Sequence, residues 1–147
     1  MKFQFSKKLV LLLFTILFAS SNLLFAQKKT KDKTLDGAKF TVKVTEDNGK
    51  KPKPLDDELS FKELKLKSDL FDDKYSFKKA PFTYTIDSTD IENKIISFTC
   101  EMENEMKDKL MWGGKIEEDN IEGKIIWMKK DKVKKSFDFT GSAKKKK

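Results

Sequence analysis

Cysteine and the carboxylates are the groups in this chain with the most chemistry to offer, and the supply is lopsided. There is one cysteine, Cys100, and no histidine. Without histidine the commonest general base and metal ligand is gone. A single thiol cannot build a redox dithiol, a thiolate zinc site or an internal disulfide. Cys100 alternates with Phe98 and Met102, which marks it as a small core residue rather than a nucleophile. No glycine-rich phosphate loop and no G-x-S-x-G elbow occurs. Carboxylates are plentiful. Glu101 and Glu103 share a strand face, Glu117, Glu118 and Asp119 share a turn, and Asp87, Asp90 and Glu92 share a loop rich in the oxygen ligands that calcium prefers. None has the spacing or the glycine of a calcium loop, and interleaved lysines make these acids a solvated face of exchanging ion pairs. The expectation is a non-enzymatic protein with no cofactor and no metal. A paired-carboxylate hydrolase is the residual catalytic reading.

Recognition is the other chemistry on offer, and it rests on aromatic side chains and glycines. Phe98, Trp112, Ile125, Trp127 and Phe137, with the glycines Gly114 and Gly123, fall on one face of a patterned sheet. They are the candidate lining of an interior that could hold a small apolar ligand. Glycine inside a strand leaves space. Either Phe98 covers that space, or a ligand approaches there.

These residues must be positioned by strands, because nearly every segment alternates with period two. Phe40, Val42 and Val44 mark one strand, Leu59 and Phe61 a second, Leu64 and Leu66 a third, and Phe82, Tyr84 and Ile86 a fourth. Ile96 to Met102, Leu110 to Ile116, Ile121 to Trp127, and Phe137 with Phe139 give four more. The exception is residues 69–75, where Ser68 can cap a short helix that Pro81 would prevent from continuing. The expected fold is all-β, an eight-stranded antiparallel up-and-down meander closing into a barrel, with a β-sandwich as the alternative.

Registers follow from the turns. A turn over Asn104–Asp108 pairs Met102 with Leu110, Cys100 with Trp112, Phe98 with Gly114 and Ile96 with Ile116, and sets Glu103 opposite Lys109 outside. A turn over Glu117–Asn120 pairs Ile116 with Ile121, Gly114 with Gly123 and Trp112 with Ile125. A one-residue slip would turn a strand inside out, so this agreement fixes the register. Pairing Trp127 with Val133 would turn Lys135 inward, so a bulge or a shifted register is expected in the last strand. Met111, Ile126 and Met128 face outward and would form an apolar patch if contiguous.

The ends of the chain carry different information. Lys2, Lys7 and Lys8 precede the apolar run Leu9–Phe18, and Leu24-Phe25-Ala26 precedes Gln27-Lys28-Lys29. This is the form of a cleavable secretory signal over residues 1–26; an uncleaved anchor is the rival reading. The expected layout is then a disordered basic segment at 27–34, a barrel domain at 35–142 and a lysine tail at 143–147. The 121 residues after Ala26 suffice for one domain. The formal charge of +8 resides in those ends: Thr34 to Ala143 holds 21 lysines and 23 acids. Arginine, the usual residue for phosphate and guanine contacts, is absent. Nucleic acid is therefore not an expected partner. An envelope protein, or an anionic surface met by the lysine-rich ends, is compatible with the charge.

The run Trp112-x-Gly114-x-Ile116, Asp119-Asn120-Ile121-Glu122-Gly123, Trp127 and Phe137-x-Phe139-x-Gly141 resembles the closing hairpins of small secreted bacterial lipocalin-like (calycin-like) proteins. Leu35-Asp36-Gly37-Ala38-Lys39-Phe40 stands where such a first strand would begin. The family's first-strand tryptophan and its partner arginine are missing. The resemblance implies an up-and-down barrel that binds a hydrophobic small molecule. Together these readings describe an exported, periplasmic or extracellular monomer without a membrane span after cleavage. It either holds a small apolar ligand inside or acts as an interaction or inhibitor module with a filled core.

Overall fold

The structure, a computed structural model, describes residues 34–89 and 92–145. The expected signal sequence, nearly all of the basic segment that follows it, Asp90 in the acidic loop, and the last two lysines lie outside them. The strands are β1 (Lys39–Glu46), β2 (Leu55–Lys62), β3 (Lys65–Ser68), β4 (Ala80–Asp87), β5 (Ile95–Glu103), β6 (Lys109–Glu117), β7 (Asn120–Lys129) and β8 (Lys132–Ala143). A helix, α1 (Asp69–Tyr75), separates β3 from β4. Each strand pairs antiparallel with its neighbour in sequence, and β8 pairs with β1 to close a barrel. Closure replaces the sandwich alternative and removes the open edges that an unclosed sheet would leave.

Period-two patterning produces this wall because alternate side chains meet in the centre. Phe40, Val42 and Val44 are buried while Lys39, Thr41 and Lys43 are exposed. The expected registers of β5, β6 and β7 are all present: Cys100 opposite Trp112, Phe98 opposite Gly114, Trp112 opposite Ile125 and Gly114 opposite Gly123. The irregularity in β8 falls where Lys135 faces Trp127 and Val133 faces Met128, leaving Lys134 as the extra residue. Lys135 turns its ammonium to Glu46, 3.2 Å away.

Four details depart from expectation. Leu64 does not begin the third strand. It is half of a two-residue turn with Glu63, both at positive φ, and is 51% exposed. The β6–β7 turn is tighter than expected, since Glu117 and Asn120 already pair. Lys109 reaches diagonally to Glu101 at 3.2 Å, although it stands opposite Glu103, which pairs with Lys107. Ile126 is buried and Met111 and Met128 are half-buried, so the outward apolar patch is not exposed.

Helix α1 forms for local reasons. The Ser68 hydroxyl accepts the Phe71 N–H and donates to Asp57, which also accepts the Leu70 N–H. The helix ends at Ser76, not at Pro81. Ser76 adopts the left-handed conformation, and the N–H groups of Ser76 and Phe77 return to the carbonyls of Asp72 and Phe71. This short element closes one mouth of the barrel by driving Phe71 and Phe77 into it. Leu35 is buried in the same core; it enters at the opposite rim, where Gly37 N–H bonds to the Phe61 carbonyl and Asp36 accepts the Glu63 N–H.

Candidate functional site

The seven interior candidates stand together in the wall formed by β5 to β8. Phe98, Trp112 and Ile125 are essentially inaccessible, and Trp127 and Phe137 are buried. What lies between them is other aromatic rings. Phe71 meets Trp112 edge-on at 5.6 Å and Phe137 at 5.5 Å. Trp112 meets Phe139 at 5.3 Å, Phe98 meets Phe61 at 5.3 Å, and Phe61 meets Phe82 at 5.0 Å. Edge-to-face stacking of this kind adds to the area buried.

Space above the two glycines is taken as well. A Cβ on Gly114 would lie 2.9 Å from the Phe139 ring and 3.0 Å from Phe98, and one on Gly123 would lie 2.1 Å from the Gly113 carbonyl oxygen. Phe98 covers the gap, as one reading of the sequence had it, with Phe139 beside it. One polar atom in this centre stands out: Trp112 Nε1 is buried and has no hydrogen-bond partner.

Potentially reactive groups are held quiet. Burial pushes the Cys100 thiol up to about 12, with Glu101 adding to the effect, so the thiolate is scarce at neutral pH. Burial also raises the Asp57 carboxyl, against the lowering pull of its bonds from Leu70 and Ser68. Asp87 is lowered by the N–H and hydroxyl that Thr89 donates to it. Glu101 pairs with Lys109, and Glu122 with Lys115 at 3.1 Å. Among the described residues, no group of three or more cysteines and carboxylates is arranged to hold a metal ion.

One concave site among the described residues is one that the sequence did not suggest. At the rim closed by α1, a groove of about 370 Å³ runs between the helix end, the β5–β6 turn and the β7–β8 hairpin. Trp127 forms its floor. The indole N–H donates to Asp108 at 2.9 Å, Tyr75 meets the ring at 4.8 Å between centroids, and Lys134 Nζ sits 4.4 Å over it.

Asn104 builds the adjoining turn. Its side-chain oxygen accepts the N–H groups of Met106 and Asp108, and its amide donates to the Tyr75 carbonyl. The turn is thus tied to the helix and presents Met106, which is 72% exposed. Tyr75, Val133 and Leu55, each more than a third exposed, belong to elements that end at this same rim. The bulge at Lys134 is the only advance sign of the groove; the link between Tyr75 and Asn104 is a contact between distant segments that periodicity does not reveal.

A search of protein families, characterised proteins and solved structures finds no match to this chain. Among the described residues, no helix is long and apolar enough to cross a membrane.

Proposed function

We propose that this chain is an exported, non-enzymatic interaction module, a lipocalin-like barrel whose α1-bearing rim binds another protein. The observation that carries the reading is Met106. A large apolar side chain is held out in solvent by a turn that Asn104 fixes in place, beside an aromatic-floored groove. Methionine and tyrosine at a rigid rim suit adaptable protein contact. The core gives the module stability without a ligand, since rings from α1 and the wall pack against each other.

The test is a photo-crosslinking amino acid in place of Met106, expressed in the native cells, with Lys124 on the barrel wall as the control position. A discrete protein adduct from position 106 and none from position 124 is expected. Adducts from neither position, or equally from both, would remove the rim reading.

A second reading keeps the interior. The unpartnered Trp112 Nε1–H is a donor in the barrel centre that a small ligand or water with one acceptor oxygen would satisfy. Native mass spectrometry of gently purified protein tests it: a bound small molecule that disappears in Trp112→Phe supports an interior ligand.

A further inference from the structure

Ten of the described lysines, among them Lys43 with Asp56, Lys115 with Glu122 and Lys124 with Asp138, lie within ion-pair distance of a carboxylate; others on the strands, such as Lys62, Lys65 and Lys132, do not. Lys74, Lys129 and Lys134, which line the rim groove, are in none of these pairs. Two acids share the groove. Asp108 is buried and committed to the Trp127 indole, which leaves Glu105 to set against three ammonium groups. The groove is therefore a cationic, aromatic-floored slot, with three lysines against one uncommitted carboxylate. Unpaired charges beside exposed apolar surface are complementary to a segment that carries carboxylates between apolar side chains.

Size narrows the occupant further. About 370 Å³ lies at the small end of the range for ligand pockets. It admits a few side chains of an extended strand rather than a folded surface.

We infer that the rim groove recognises an extended acidic peptide segment of the partner protein, with carboxylates meeting Lys74, Lys129 and Lys134 and an apolar side chain lying against Tyr75 and Met106. This rests on the rim-binding reading above and supplies its chemistry. A polyanionic glycan is the competing anion, but it would leave the 72% exposed Met106 side chain without an apolar counterpart.

The experiment uses the chain from Gln27 onward and three fluorescein-labelled eight-residue probes alternating Leu with Glu, Gln or Lys, followed by fluorescence anisotropy. The Glu probe should bind at least about tenfold more tightly than the Lys probe, and its affinity should fall by about tenfold between low and high salt. Lys129→Glu with Lys134→Glu should abolish the preference. Both lysines are absent from the ion pairs, and circular dichroism checks that the doubly changed barrel is folded. Equal binding of the Glu and Lys probes, or no binding of the Glu probe, overturns the inference. So does tighter binding of fluorescein-labelled polygalacturonate than of the Glu probe. Such a failure is distinct from failure of the rim reading, because the adduct at position 106 would persist with a partner of different chemistry.

Discussion

Phe71, on the only helix among the described residues, lies edge-on to Trp112 on β6 with 5.6 Å between ring centroids and an interplanar angle of 85°. Through that contact a seven-residue helix is part of the barrel's core rather than a decoration on its mouth. Phe71→Ala should cost about 3–5 kcal/mol, the usual range for truncating a buried aromatic. Urea denaturation monitored by fluorescence of the two tryptophans measures it. A loss below 1 kcal/mol would mean that α1 is not integral to the core.

Gly123 should tolerate no side chain. The nearest atom to an added Cβ is the Gly113 carbonyl oxygen at 2.1 Å, part of the wall itself, so no flexible group can yield. Gly123→Ala should destabilise by more than the ~1–3 kcal/mol typical of overpacking. Gly49, with nothing within 4 Å, is the control for crowding. Its positive φ of 72° limits Gly49→Ala to a backbone penalty, of order 1 kcal/mol. Thermal melts of the two variants should rank accordingly.

Asp57 makes stability depend on pH in a defined direction. Its folded carboxyl titrates above the unfolded value, so the folded state holds its proton more tightly. The contribution is therefore fully present below the unfolded pKa and fades as pH rises through the raised folded one. Asp57→Ala removes the bonds to Ser68 and Leu70, and should cost about 1–3 kcal/mol. The loss should be larger at pH 3.5 than at pH 7. Denaturation of both proteins at the two pH values tests the sign; a loss that grows toward neutrality would contradict it.

Cys100 should be inert while the protein is folded. Burial and a thiol raised to about 12 leave little thiolate and no access. Labelling by Ellman's reagent at pH 8 should be negligible in buffer and complete in guanidinium. Rapid labelling of the native protein would place the thiol outside the core.

Much of this architecture was legible in the residues, for a physical reason. Where one face is buried, a strand's register is over-determined. Phe98, Cys100 and Met102 could meet Gly114, Trp112 and Leu110 in only one way, and they do. Helix α1 was legible from Ser68, an N-cap residue whose hydroxyl accepts the Phe71 N–H. Less legible were the residues that enter the core from outside the strands. Leu35, Phe71 and Phe77 fit no alternation, because a turn or a short helix aims them. Leu64 misled for the converse reason: its spacing from Leu66 matches a strand, but a two-residue turn places it in solvent. The rim groove was hidden because it depends on Asn104 bonding to Tyr75, 29 residues away.

The β1–β8 seam also sets a timetable for folding. Every other strand pair joins sequence neighbours, but Phe40 must meet Ala143 and Val44 must meet Phe139. Bringing such distant strands together carries the largest loop-closure cost in the wall. A nascent chain emerging N-terminus first can form hairpins early, yet its cylinder cannot shut until the final strand arrives. Until then β1 and the newest strand are both adhesive borders.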